Sequence, residues 1–392
     1  MERITVDERR ARLARRQALA PGCHAADPVE AADRVVCLHA TDPSTVHLSA
    51  WARTPGVRIE DVERAIYGDR TLVKHLSMRR TLFVFPRATL PDAQAGASRR
   101  VADRERRRLV ADVERAELHP DGATWLATAE AAVLAALADG REATASELRG
   151  ELPVLEGAIT YGEGRSWGGD VPVGPRVMTV LSASGSIVRG TNEGRWNVSR
   201  PRWSSMSAWL GEPLAEVDTD DGVAAMVARW LRAFGPGTER DVTWWLGSTK
   251  TAVRAALRTI GAIEVDLDGA VGYVLPDDLD PTDPVEPWGA LLPVLDPTTM
   301  GWADRDWYLG PHKADLFDST GNAGSTAWWD GRIVGGWRQR EGGEIELQLL
   351  EDVGRDATAE LEEQAGRLGG WLGGVRVMPR FPSPLWKRLD PG

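Results

Sequence analysis

The feature that most constrains this chain is a repeated pattern of three helical runs followed by a hairpin. The clearest copy spans Asp221 to Leu275. VAAMVARWLRAFG has the apolar period of a helix and ends at Gly235-Pro236-Gly237. TERDVTWWLG follows, with Thr238 placed to cap a short helix, and then STKTAVRAALRTIG, with Ser248 as N-cap and Gly261 as stop. IEVDLDG and AVGYVLP alternate apolar and polar residues about Asp268-Gly269, a two-residue hairpin signal. Three helices and a hairpin make a winged helix, a helix-turn-helix unit.

An earlier copy is less regular. TWLATAEAAVLAALADG, ATASELRGEL and VGPRVMTVLSASGSIVRG give three helical runs, and TNEGRWNVSR supplies a hairpin with its turn at Glu193-Gly194. Repetition makes each assignment safer than either alone. A looser third copy stands at the N-terminus. Helices are expected near Asp7 to Leu19, Pro28 to His39, Ser44 to Ala52 and Ile59 to Tyr67, followed by the apolar TLFVFP, Thr81 to Pro86. After Pro287 the texture changes to short apolar strands, with hairpin signals at Asp330-Gly331 and Gly342-Gly343. These suggest a small sheet or barrel, closed by a helix from Ala357 to Leu372 and a short strand VRVMP.

At 392 residues the chain is too long for one core. The expected architecture is mainly α with β (α+β): tandem winged-helix units followed by a small C-terminal β-barrel. The expected divisions are a winged-helix-like unit at 1–95, a basic connecting helix at 96–120, winged-helix units at 121–205 and 206–286, and the barrel with its helix at 287–392. No apolar run has bilayer length, and the start, MERITVDERRARLARR, has no apolar signal segment, so a cytoplasmic protein with no membrane partner is expected. Two cysteines, Cys23 and Cys37, make neither a disulfide framework nor a zinc cluster. No spacing of His, Cys, Asp and Glu argues for a metal, and no cofactor is implied. YGEGRSWGGDVPVGPR is glycine-rich but lacks the Gly-Lys-Ser/Thr of a phosphate-binding loop, and reads as a connection. No obligate protein partner is evident.

The formal charge of −11 speaks against nucleic acid until its distribution is considered. Residues 1–110 carry 21 Lys and Arg against 14 Asp and Glu, leaving 26 against 44 for the remainder. The protein is electrically two-sided, and phosphate affinity is expected mainly from the N-terminal part. ASRRVADRERRRLVADVERAE reads either as a solvated helix with internal ion pairs or as a phosphate contact. Arg79 and Arg80 lie beside the first hairpin, where they could meet phosphates. Arg176, Thr249, Lys250 and Arg254 stand where a winged helix touches DNA if it uses its usual face, a face that tandem units often bury against a neighbour. Among the 17 tryptophans, Trp244-Trp245 and Trp328-Trp329 are candidate stacking platforms, though core packing is the commoner use.

One polar interruption remains. VVCLHATDPSTVHLSAWAR sets His39 and Thr41 two apart before Asp42-Pro43. A strand puts such a pair on one face and a helix puts them nearly opposite, so the local break decides whether they meet. Proline disfavours helix at the preceding residue. The helix from Pro28 should therefore stop near Thr41, with Asp42 as N-cap and Pro43 as first residue of the next.

Tandem winged helices before a small barrel, the L-x-A-x-D-P segment at Leu38 to Pro43, and the run LLPVLDPTTMGWADRDWYLGPH together resemble the AlkZ/YcaQ superfamily of bacterial DNA glycosylases. The resemblance covers nearly the whole chain. It implies a double-stranded, damaged DNA partner and hydrolysis of the N-glycosidic bond of alkylated (N7 or N3) purines, bulky adducts or crosslinks; some members serve antibiotic producers as self-resistance enzymes. It also implies that His39 and Thr41 are the catalytic positions, where the family carries Gln-x-Gln or Gln-x-Asp to place a water and stabilise positive charge on the sugar. Both positions depart from that pattern. N-alkylation already makes the purine a good leaving group, so little machinery is needed. His39 is expected to accept a proton from the water, or else to be a buried histidine that holds a helix end; Thr41 is expected to orient the water, and Asp42 to act as a cap or as catalytic support. No lysine is assigned a Schiff-base role, which leaves a monofunctional, water-attacking mechanism. His312 and Lys313, after Gly310-Pro311, are further candidates for DNA contact. The rival reading is a non-catalytic DNA-binding protein or regulator on the same scaffold; a third is a module that sequesters a DNA-reactive metabolite.

Overall fold

Asp42 and Pro43 end one element and begin another. The Asp42 carboxylate accepts the Ser44 backbone N–H at 3.0 Å, and Pro43 is the first helical residue. The computed structural model describes residues 1–162 and 168–389. Around this cap lie β1 (Glu2–Arg3), α1 (Val6–Arg16), α2 (Pro28–Arg34), β2 (Leu38–His39), α3 (Pro43–Trp51), α4 (Ile59–Glu63), β3 (Leu72–Ser77), β4 (Thr81–Pro86) and α5 (Leu90–Ala93). The helix expected from Pro28 to His39 is shorter than its pattern. It stops at Arg34, Val36 turns left-handed at φ 67°, and Leu38–His39 joins an antiparallel sheet of order β2-β4-β3. A β-branched residue at positive φ is costly, and it is tolerated here in a site where Val35, Val36 and Cys37 are all buried.

The chain continues through α6 (Arg99–Arg115), α7 (Gly122–Ala136), α8 (Ala145–Glu151), β5 (Ala158–Tyr161), β6 (Gly169–Pro172), α9 (Gly174–Ala183), β7 (Ile187–Asn192), β8 (Pro201–Ser205) and α10 (Met206–Leu210). The run VGPRVMTVLSASGSIVRG is therefore helix only as far as Ala183, because its later residues form β7. Next come α11 (Thr219–Phe234), β9 (Gly237–Thr238), α12 (Glu239–Leu246), α13 (Lys250–Thr259), β10 (Ile263–Leu267) and β11 (Ala270–Val274). Thr238 and Asp241 form a reciprocal capping box, and Asp268 (φ 54°) with Gly269 (φ 94°) makes the tight hairpin turn. Thr249, not Ser248, caps α13. Backbones touch where α11 crosses residues 94–98: a Cβ on Gly96 would sit 2.5 Å from the Gly222 carbonyl oxygen.

The C-terminal part holds β12 (Gly289–Leu292), α14 (Asp306–Leu309), α15 (Lys313–Leu316), β13 (Thr326–Trp329), β14 (Arg332–Gln339), β15 (Ile345–Leu349), α16 (Arg355–Leu372) and α17 (Pro384–Leu389). No closed barrel forms among the described residues. The four strands make an open antiparallel sheet in the order β12-β13-β14-β15. Leu361, Ala365, Leu368 and Leu372 of α16 pack with Leu291, Ala327, Val334 and Trp337. A small closed barrel takes about five strands, and here the helix supplies the cover that closure would have given. VRVMP is irregular rather than a strand.

A buried polar network joins distant segments. Arg53 donates to both Asp296 oxygens at 2.7 and 3.0 Å, and both side chains are fully buried. The Ser49 hydroxyl reaches Asp296 at 2.6 Å, Thr298 bonds both Arg53 and Gln17, and Gln17 donates to the Ala233 carbonyl. α1, α3, α11 and the LDPTT segment are thereby fixed to one another. At the far N-terminus β1 pairs in parallel with β10, Glu2 opposite Val265, in a sheet of order β1-β10-β11-β9. No described helix is long and apolar enough to cross a membrane.

Candidate active site

β2 is only two residues long, but its pairing fixes the site. His39 lies opposite Phe83, which lies opposite His75, so the three share a face of the sheet. The His39 ring meets Phe83 edge-on at 5.2 Å. The chain leaves the strand after His39 and bends at Thr41 and Asp42, and the backbone N–H of Thr41 donates to His39 Nδ1 at 3.3 Å. With Nδ1 accepting, the neutral ring is assigned its proton on Nε2. Burial first, and Arg79 next, push the His39 pKa down to about 3, with Asp296 opposing. At neutral pH the ring is uncharged.

One nitrogen of His39 already accepts a hydrogen bond, which leaves the other as a donor in the neutral ring. Thr41 is partly exposed, and its hydroxyl has no partner within the chain among the described residues. Asp42 has no spare oxygen. Oδ1 accepts Ser44 N–H and Oγ–H, the latter at 2.6 Å, and Oδ2 accepts the Arg380 N–H at 2.8 Å. It is a cap that also anchors the segment before α17.

Arg79 is the sequence-derived candidate that comes to His39. It occupies the β3–β4 turn at φ 55°, followed by Arg80 at φ 62°. Its guanidinium lies 4.2 Å from the Trp244 ring centre, and burial, then Arg305, lower its pKa to about 10. Arg305 lies 4.8 Å from the same ring and 4.8 Å from that of Phe317. Neither arginine has a carboxylate partner among the described residues, and Arg79 Nε and Arg305 Nη2 are buried without hydrogen bonds. Arg305 was invisible as a site residue in the sequence; the only signal was its place in the run LLPVLDPTTMGWADRDWYLGPH.

The remaining candidates are dispersed and mostly occupied. Arg80 pairs with Glu105 at 3.0 Å. Arg176 is held by Asp112 at 2.8 Å, with its side chain only 11% exposed. Thr249 spends its hydroxyl on the Ala252 N–H, and Arg254 pairs with Glu239 at 2.5 Å. Lys250 and Lys313 are exposed. His312 is buried against Glu351 at 3.4 Å. Along the basic helix α6, Arg104, Arg108 and Arg115 pair with Glu105 and Asp112 of the same helix, whereas Arg106 reaches Glu130 of α7. Trp245 and Trp328 are core residues, whereas Trp244 is the one that carries arginines. Part of the glycine-rich stretch, residues 163–167, lies outside the described residues. Lys74 is pushed down to about 8 by burial, but it lies opposite Val84, on the sheet face away from His39.

A family model described as "DNA glycosylase AlkZ-like" matches residues 32–371. Among solved structures, the Streptomyces sahachiroi DNA glycosylase AlkZ aligns with a TM-score of 0.75 over 96% of this chain and 98% of that one. The two are 20% identical, so the likeness concerns the fold. No curated protein matches the sequence.

Proposed function

The chain belongs to the AlkZ-like DNA glycosylase family, and from that premise we propose that it hydrolyses the N-glycosidic bond of N7- or N3-alkylated purines in duplex DNA, with His39 and Thr41 at the reacting sugar. The carrying observation is the strand-to-cap break from Leu38 to Pro43, which sets a free hydroxyl beside a neutral imidazole at the family's motif position. Stretches 121–205 and 206–286 are read as winged helices, and 1–95 as a looser relative, arranged around that break.

The chemistry follows from charge. An alkylated purine leaves as a neutral base, and positive charge moves to the sugar ring. A protonated imidazole there would repel it; His39, held neutral, does not. The Thr41 hydroxyl orients the attacking water, and the His39 Nε2–H donates to the departing base or to that water. Proton loss follows addition and goes to solvent, so no strong base is required. Lys74 faces away from the site and is not the amine of a Schiff-base route, which fits a monofunctional, water-attacking mechanism.

The test is base release from duplex DNA bearing N7-methylguanine and from DNA treated with a bifunctional alkylator. Thr41→Val should lose at least tenfold in rate, about 1.4 kcal/mol of transition-state stabilisation. No release by the wild type, or equal release by the variant, would sink the assignment. The departure from glutamine at both positions, with Nδ1 already occupied, supports a second reading as a non-catalytic DNA-binding protein. Tight binding to DNA without base release would favour that one.

A further inference from the structure

We propose that Arg79 and Arg305, flanking the Trp244 ring, form a binding site for one backbone phosphate next to the target nucleotide. The inference rests on the DNA-glycosylase reading for the identity of the ligand and on four separate observations for the site. First, two guanidiniums lie 4.2 and 4.8 Å from the same indole ring centre, and neither has a carboxylate partner among the described residues. Like charges gathered in a partly buried place cost energy unless an anion joins them. Second, each arginine leaves a buried nitrogen without an acceptor, Nε in Arg79 and Nη2 in Arg305. Among the described residues Arg79 donates no hydrogen bond and Arg305 donates through Nε to the Trp302 carbonyl at 2.8 Å, so most of their donors remain for an incoming anion.

Third, the turn that carries Arg79 is strained. Arg79 and Arg80 take φ of 55° and 62° in succession, a conformation that glycine adopts freely and other residues adopt only at a cost. Backbone geometry alone would favour glycine at both positions, so the side chains have a use that outweighs the strain. Fourth, Arg79 sits in the turn that leads into β4, the strand that holds His39 opposite Phe83, and it acts electrostatically on that ring. A phosphate accepts forked hydrogen bonds from guanidinium groups and supplies the missing negative charge. Without it, Arg79 and Arg305 would oppose a cationic sugar; with it, their charge is largely cancelled and the nucleotide is held in register.

The experiment measures equilibrium binding of undamaged duplex DNA across a range of salt, for the wild type, Arg305→Gln, Arg79→Gly and the double variant. Arg79→Gly removes the guanidinium while placing at that φ the residue most at ease there, so folding is kept. The double variant should lower the salt slope, log K against log salt, by about 1, the signature of one lost phosphate contact. In a duplex carrying a tetrahydrofuran abasic-site analogue, one neutral methylphosphonate linkage beside the analogue should weaken wild-type binding about tenfold and leave the double variant indifferent. An unchanged slope, or variants that only lose melting temperature, would overturn the proposal and make the arrangement a structural clamp on Trp244. Base release is not part of this readout. Failure of the glycosylase reading therefore appears as altered slopes without release, and failure of this inference as release with unchanged slopes.

Discussion

Substituting His39 by glutamine should make the protein more tolerant of acid. The ring is only 7% exposed, and burial, Arg79 and the opposing Asp296 leave its folded pKa at about 3 against 6.5 for an ordinary imidazole. The folded state therefore binds no proton at this ring between those values, while the unfolded chain binds one. Stability is intact above pH 6.5 and falls with decreasing pH down to about 3, at about 1.4 kcal/mol per pH unit. Between pH 7 and pH 5 this one residue should cost about 2 kcal/mol. Urea unfolding followed by tryptophan fluorescence at both pH values measures it. His75, also lowered, to about 4, and His47 remain in both proteins and cancel in the comparison. His39→Gln should lose about 2 kcal/mol less than wild type on going from pH 7 to pH 5. Equal losses would refute the buried, neutral state of the ring. Base release should also be insensitive to this ring over the same range, whereas a histidine acting as base with an ordinary pKa would lose activity below pH 6.5.

Four other outcomes are expected. Arg53→Met strands the Asp296 carboxylate in the core and should cost about 3–5 kcal/mol in denaturant unfolding, most of it recovered in Arg53→Met/Asp296→Leu. Asp42→Asn keeps the cap but turns its amide NH2 against the Arg380 N–H, and should lose about 1–3 kcal/mol in denaturant unfolding; Asp42→Ala, which also gives up the cap, should lose about 1 kcal/mol more. Gly96→Ala pushes a methyl group against the Gly222 backbone and should destabilise by about 1–3 kcal/mol in the same assay. Arg176→Met should lower the melting temperature by releasing buried Asp112 while leaving the salt slope of DNA binding unchanged.

Features encoded within a few residues were legible in the sequence. Asp42-Pro43, Thr238 with Asp241, and Asp268-Gly269 carry their own backbone chemistry, and they cap or turn where expected. Features that depend on distant partners were not. The Pro28 run has helical periodicity to His39, but pairing with β4 draws Leu38 and His39 into a strand. The C-terminal hairpins were visible, whereas their closure depended on where α16 would pack. The charge count marked the N-terminal part as basic without showing that Arg80 and most of the α6 arginines have internal acids. Arg305 could not be chosen from its neighbours in sequence, because its significance comes from Trp244 and Arg79, two segments away in the fold.

The pairing of Glu2–Arg3 with Val265–Asp266 also bears on biogenesis. During translation at about 5–20 residues per second, this N-terminal strand would wait on the order of 13–50 s before its partner strand is made. Over that interval α1 lacks Ala233, the acceptor for Gln17, and also Thr298. Its apolar side is then available to chaperones or to wrong partners. The strand Glu2–Arg3 is thus made long before it can be secured, and a change that blocks its pairing would act on that later joining with β10 rather than on the folding of the segments in between.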